Sequence, residues 1–331
     1  MAAPNAAVLD HRGFPHLIDM ILGYADRGTL VAVRTTCTAM RDKADARLLH
    51  HMAVNSAGEL VDPDGGRPPA LYRLVNRRQN GSTTWTMTAR QKRLLGLVRV
   101  LDIAQSYIAQ LPPIEEDMSG VHMLRMAFSL RPQVASITCP VVVLFRTTEG
   151  MNTRNSIIQH IPGVRKVVCN VMYTSGATVD QRFCVYLPPS VSELVVMYTP
   201  FSPRIQPPLH DWNYGVTNST ISVIARHAIA HDTETWYTLV GLPILEEWQR
   251  VGDDTPVATP AEAQERFLQL LGEAMAKFPA RTSEATMKTL QAVKAAKEHV
   301  RFLTRAEYAR RLTPEGFYLE TTLPPTMSKG I

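Results

Sequence analysis

The sequence predicts an α/β protein: a short N-terminal helical unit, then an irregular stack of short strands, with helices near the C-terminus. Three observations carry this. Residues 14–50 set apolar side chains at helical spacing. From residue 97 onward, short runs rich in Val, Leu, Ile and Met recur at intervals of 18 to 30 residues. In the C-terminal third, two capping-box signatures open helices.

The helical unit comes first. Leu17, Ile18, Ile21, Leu22 and Ala25 form one apolar stripe, and Pro15 suits a first helical turn, where its missing N–H costs nothing. Asp26-Arg27-Gly28 reads as a turn, with Thr29 as the cap of the next helix. A second stripe follows in Leu30, Val33, Cys37, Met40, Ala44 and Leu48. Residues 14–50 therefore hold two or three short helices, too little core to stand alone. Such a stripe fits a docking surface, and it equally fits a seam packed on the rest of the chain.

Residues 52–54 and 59–61 can pair as short strands. Residues 62–69 concentrate Asp, Gly and Pro and read as a loop, and the polar residues 76–88 read as a second one. The stack then begins. Its runs are marked by Val98, Met123, Val141, Val164, Val191 and Ile221, spaced 25, 18, 23, 27 and 30 residues apart. Such intervals are those of leucine-rich-repeat solenoids, in an irregular form. The runs are continuously apolar rather than alternating, which predicts near-parallel strands covered on both faces. Pro-rich turns between them, such as Leu187-Pro188-Pro189-Ser190, fix the turn before a strand and stop the preceding segment from becoming helix.

Thr259-Pro260-Ala261-Glu262 opens a helix facing the core with Phe267, Leu270, Leu271, Ala274, Met275 and Phe278. A second helix spans residues 283–298, and residues 300–303 read as a strand. Thr304-Arg305-Ala306-Glu307 opens another short helix, and residues 317–323 read as a last strand.

Composition narrows the function. The chain has 331 residues, 45% hydrophobic and 20% charged, the balance of a folded protein of one large or two ordinary domains. No run approaches the roughly 18 apolar residues of a membrane span. The first twelve residues lack a basic start, so the chain is expected to be intracellular, and Asn80-Gly81-Ser82 and Asn218-Ser219-Thr220 to match the glycosylation pattern by chance. Cys37, Cys139, Cys169 and Cys184 are scattered with no C-x-x-C pair, so no cysteine zinc site is expected; Cys37 and Cys169 read as small buried hydrophobes. Arg73, Arg77, Arg78, Arg90, Lys92 and Arg93 make a basic stretch around the single aromatic Trp85. That is a solvated surface more than a base-stacking platform, and nucleic acid is an improbable partner.

Enzymatic signatures are sparse. No G-x-S-x-G, P-loop or dinucleotide fingerprint occurs. His227 and His231 stand four apart with Asp232 next and on a helix could line up for a metal; they follow a run read as strand, where they would share a face but lie about 13 Å apart. Glu115-Glu116-Asp117 reads as a solvated loop, and Glu246-Glu247 beside Trp248 as an exposed helix face. The expectation is a non-enzymatic protein without metal or cofactor.

The residue order of the N-terminal unit adds a resemblance. Phe14-Pro15, then Ile21-Leu22-Gly23-Tyr24, then Leu30-Val31-Ala32-Val33-Arg34 with Cys37, Met40 and Arg41, resembles the F-box of fungal proteins. It departs from that pattern at Leu17, Ala25 and Met40. Residues 302–308 with Phe317-Tyr318-Leu319-Glu320 are similar to the C-terminal end of F-box-like proteins from basidiomycete yeasts. The chain then divides into a flexible tail at 1–12, an F-box-like unit at 13–50, a loop-rich connector at 51–96, an irregular α/β repeat-like domain at 97–323 and a tail at 324–331. The resemblance implies a substrate-recruiting subunit of a cullin–RING ubiquitin ligase. Phe14, Pro15, Ile18, Ile21, Leu22 and Leu30 would bind a Skp-family adaptor, and the α/β body an unknown protein. The alternative is an interaction or scaffold protein whose F-box-like helices only cap the body.

Overall fold

A computed structural model describes residues 13–55, 60–66, 76–79, 82–85, 89–103, 120–127, 137–145, 153–155, 157–173, 183–200, 214–231, 234–242, 249–250, 253–256, 259–277 and 283–324. Three helices open the chain: α1 (Pro15–Tyr24), α2 (Arg27–Val33) and α3 (Thr38–Leu48). Strands β1 (His51–Val54), β2 (Leu60–Val61), β3 (Asn76–Gln79) and β4 (Ser82–Trp85) lead to α4 (Ala89–Leu95). Then come β5 (Val100–Ile103), β6 (Met123–Ala127), β7 (Val141–Phe145), β8 (Thr153–Asn155), β9 (Lys166–Tyr173), β10 (Phe183–Val185) and β11 (Glu193–Pro200). Helix α5 (Tyr214–Ala230), β12 (Trp236–Val240), β13 (Gln249–Arg250) and β14 (Asp253–Pro256) precede α6 (Pro260–Ala276) and α7 (Ser283–Glu298). The described chain closes with β15 (Val300–Leu303), α8 (Arg305–Ala309) and α9 (Pro314–Thr321).

Nine strands form one sheet in the order β15-β12-β11-β9-β7-β6-β5-β1-β2. Only the β1–β2 pair is antiparallel, and the rest are parallel. From β5 to β15 each strand of the sheet lies beside the one before it, while β5 itself pairs with β1 and β2 folds back to the edge. The strands start flush, with His51, Val100, Met123, Val141, Lys166, Glu193 and Trp236 in one line across the register. One carbonyl at each of several strand starts accepts two N–H groups of the next: His50 from Arg99 and Val100, Arg99 from His122 and Met123, Pro140 from Arg165 and Lys166, Arg165 from Ser192 and Glu193. Gly120 permits one of these starts. A Cβ there would stand 2.3 Å from the Gly96 carbonyl oxygen.

Continuous apolar runs place alternate residues on opposite faces, and both faces are covered. Leu101, Leu124, Val142, Val167, Leu194 and Tyr237 point to the larger core, which holds α5, α6 and α7. Phe267 of α6 is fully buried there, edge-on to Phe302 at 5.9 Å. Val100, Met123, Val143, Val168, Val195 and Val240 point the other way and meet Tyr308 and Leu319 of the C-terminal segment. Both capping boxes form, at Thr259–Glu262 and Thr304–Glu307.

Several expectations are corrected. The run at Ile221 is not a strand but the middle of α5. Buried Thr217, Thr220, Ile221, Ile224 and Ala225 repeat with the helical period, which a five-residue apolar window hides. Residues 317–323 are not a strand either. Thr313 caps α9 by accepting the Gly316 N–H at 3.0 Å, and Pro314 fits its first turn. Asp26, not Thr29, caps α2: its carboxylate accepts the Thr29 N–H at 2.7 Å, a bond that lowers its pKa. Residues 76–88, read as a loop, contain the antiparallel pair β3–β4. Strand β12 lies in no expected run. The expected pairing of residues 52–54 with 59–61 is present as β1 and β2, at one edge of the sheet. Among the described residues no helix is long and apolar enough to cross a membrane.

Candidate docking surface

Helices α1, α2 and α3 pack around a small core of their own: Ile18, Leu22, Leu30, Ala44 and Leu48. Pro15 sits in the first turn of α1, behind Phe14 at the N-cap. The Arg34 guanidinium bonds to buried Asp45, and Lys43 pairs with Asp19. Thr35 and Thr36 turn the chain between α2 and α3 by bonding back to Ala32 and Val33 carbonyls at 2.7 and 2.8 Å. This break leaves Cys37 exposed, correcting its reading as a buried hydrophobe.

The six residues expected to bind an adaptor divide. Ile18, Leu22 and Leu30 are 5%, 4% and 7% exposed and belong to the unit's core. Phe14 and Ile21 are 49% and 54% exposed, and Pro15 is exposed as well. Met20 and Tyr24, absent from the expected set, are 53% and 90% exposed. At 100° per residue, Leu17, Met20, Ile21 and Tyr24 share one side of α1, next to the side that buries Ile18, Leu22 and Ala25. The apolar arc of α1 is thus wider than its core needs, and its outer half meets water. The signal was legible in the sequence as too many apolar residues for one stripe.

The unit is held to the body by charge and by chain continuity. Arg27 pairs with Asp62 beyond β2, Arg90 of α4 stands 3.8 Å from Asp45, and Arg93 is 3.1 Å from Asp42. Burial raises the Asp62 carboxyl and Arg27 partly offsets it. Leu48 closes the small core while adjacent Leu49 enters the large one. Two arginines of the basic stretch are thereby engaged with α3, while Arg73 lies outside the described residues.

Cys139, Cys169 and His227 are buried, which favours their neutral forms. Burial pushes the Cys139 thiol up to about 12 and raises Cys169 further. His227 lies in the last turn of α5 and His231 just past its end, neither on the expected strand, with rings 5.0 Å from centre to centre. His227 Nδ1 is 3.1 Å from the Tyr237 hydroxyl, and Nε2 is 3.4 Å from the Pro188 carbonyl oxygen. Among the described residues no group of three or more His, Cys, Asp or Glu could hold a metal ion. Residues 115–117 and 246–248 lie outside the described residues. Comparison with family models, with curated proteins and with solved structures finds no match for the chain.

Burial holds the His227 imidazole down at about 4, with His231 adding to the effect. Unfolding returns it to its ordinary value of about 6.5, so the unfolded chain binds the proton first. The stability from neutral His227 is complete above about pH 6.5 and lost as pH falls toward about 4. Urea unfolding at pH 7 and pH 5 is expected to differ by about 2 kcal/mol from this group. In His227→Asn that part of the difference should vanish. An unchanged pH slope would remove His227 as its source.

Proposed function

We propose that the chain is an F-box-like, substrate-recruiting subunit of a cullin–RING ubiquitin ligase, docking a Skp-family adaptor through α1. The observation that carries this is the exposed apolar arc of Phe14, Met20, Ile21 and Tyr24 on a helix otherwise fixed by its own core. An apolar helix face set into a partner's groove is a common recognition mode. The residue order Phe14-Pro15 and Ile21-Leu22-Gly23-Tyr24 supports the choice of partner. We read the body as an irregular leucine-rich-repeat-like stack. Sequential strand order and the repeated two-donor carbonyls at the strand starts support that reading. The body would present the recruited protein.

The test is retention of a Skp-family adaptor by the tagged full chain. Ile21→Asp changes an exposed side chain, so it should fold within about 0.5 kcal/mol of wild type while adaptor retention falls at least about tenfold. Leu22→Asp charges the core of the unit and reports unfolding rather than docking. If the wild type retains no adaptor, the docking reading fails. A scaffold protein is the second reading. Its support is the burial of Ile18, Leu22 and Leu30, which leaves half of the expected contact set unavailable to a partner.

A further inference from the structure

We propose that Arg47 of α3 forms a charged rim beside the apolar arc of α1, and that the partner's groove carries a carboxylate opposite it. The proposal rests on adaptor docking by α1 and names the chemistry that the adaptor must bring. Residues 13–50 hold four carboxylates, Asp19, Asp26, Asp42 and Asp45, and five cations. Each carboxylate is engaged. Asp19 meets Lys43, Asp45 meets Arg34, Asp42 stands 3.1 Å from Arg93, and Asp26 accepts the Thr29 N–H. Arg27 reaches Asp62, and Arg41 donates to the Arg34 carbonyl at 3.2 Å. The fifth cation, Arg47, is exposed, and its side chain has no ion pair or hydrogen bond among the described residues.

Two helices in step set its place. Lys43 and Arg47 are one turn apart on α3, as Asp19 and Gly23 are on α1. Lys43 lies at Asp19, and Arg47 lies at Gly23. A Cβ on Gly23 would stand 3.7 Å from Arg47 Nη2. The guanidinium thus rests beside bare α1 backbone, where one turn earlier a carboxylate is present. The next residue, Tyr24, is 90% exposed, and Met20 is 53% exposed. Arg47 therefore borders the arc from the α3 side.

A groove that closes over Met20 and Tyr24 also takes water from Arg47. A guanidinium stripped of water opposes binding unless an anion replaces that water. A carboxylate on the groove's rim does so, with two oxygens for the guanidinium fork. A neutral rim would accept hydrogen bonds and leave the charge uncompensated. Arg47 also sits in the last turn of α3, where the helix dipole favours any cation. That role is indifferent to the partner, and lysine fills it equally well.

The experiment follows association of the full chain with a purified Skp-family adaptor at low and at physiological salt. Arg47→Glu changes an exposed side chain, so the chain should stay folded while association slows about tenfold and loses its salt dependence. Arg47→Lys keeps the charge and should associate within about twofold of wild type, yet dissociate faster, having lost the two-oxygen geometry. Replacing the adaptor's groove-rim carboxylates with arginine, one at a time, should yield one variant that restores binding to Arg47→Glu. The proposal is overturned if Arg47→Glu associates like wild type at both salt concentrations, or if no rim variant of the adaptor rescues it. Ile21→Asp separates the rim from docking itself. Loss of binding in Ile21→Asp with wild-type kinetics in Arg47→Glu removes the rim alone, whereas a wild type that binds no adaptor removes both.

Discussion

Replacing Arg125 with leucine is expected to cost about 3–5 kcal/mol of unfolding free energy. Arg125 lies at the centre of β6 with Asp102 of β5 beside it in register, on the face covered by the C-terminal segment. It is 1% exposed and Asp102 is 0% exposed. Its Nη1 is 3.2 and 3.3 Å from the two Asp102 oxygens, and Nη2 donates to the Thr322 carbonyl. Phe145 carries the guanidinium on its ring face at 5.3 Å. Leucine would leave the Asp102 carboxylate buried with, among the described residues, only His51 Nε2, at 2.9 Å, beside it. The penalty is chiefly that stranded charge, so it depends on Asp102 being present. The double variant Asp102→Leu with Arg125→Leu is therefore expected to recover most of the loss, because removing both members of a buried pair is often neutral. The native pair is itself incompletely satisfied: Asp102 Oδ1 and Arg125 Nε lack hydrogen bonds. Urea unfolding of wild type, both single variants and the double variant measures the coupling, expected above about 2 kcal/mol. Additive losses would mean that Arg125 acts by packing alone.

The same pair shows where sequence reading stops. The run Met123-Leu124-Arg125-Met126-Ala127 was legible as a strand because its apolar residues outvote one arginine. Nothing local says that Asp102, twenty-three residues earlier, is its partner; only parallel register brings them together. Both capping boxes were legible because a cap is local chemistry between residues three apart. The strand runs at Val98, Met123, Val141, Val164 and Val191 were legible for a different reason. A strand covered on both faces must be apolar throughout. That reasoning misplaced Ile221, whose apolar run belongs to a buried helix. It also passed over Trp236–Val240, where aromatic and β-branched residues were the available signal. The docking residues were half legible. Helical spacing identifies the stripe on α1, but which side of it faces α3 depends on Ala44 and Leu48, a turn and a helix away.

Ending the chain after Leu303 is expected to be more damaging than any single substitution. The described residues that follow form no strand, yet they cover one sheet face. Tyr308 and Leu319 are 2% and 8% exposed, and Leu312, Phe317 and Leu323 pack beside them on Val143, Val168, Val195 and Val240. Burial of Tyr308 and Leu319 alone contributes about 3–6 kcal/mol, a large part of a domain's ordinary 5–15 kcal/mol. Polar ties register the segment on the sheet. Glu320, 4% exposed, receives Lys166 Nζ at 2.6 Å and the Tyr308 hydroxyl, and its carbonyl accepts from Asn170 Nδ2 at 2.7 Å. Burial and the adjoining Glu320 both raise the Tyr308 pKa, so the phenol stays a proton donor to that carboxylate. The shortened chain should bind a hydrophobic dye and leave the monomer position on gel filtration, since a bare Val-rich parallel sheet face is an aggregation surface. Glu320→Ala tests the polar ties separately. It strands the Tyr308 hydroxyl and leaves Lys166 only Glu193 Oε2 at 3.9 Å among the described residues, for an expected loss of about 2–4 kcal/mol, whereas Glu320→Gln keeps a hydrogen-bond acceptor and should lose less. A shortened chain that remains monomeric, dye-silent and unchanged in its unfolding midpoint would show that the segment rests on the sheet without supporting it. If the segment is the cover that its packing indicates, dye binding and loss of the monomer should appear together, because both follow from exposing the same row of valines.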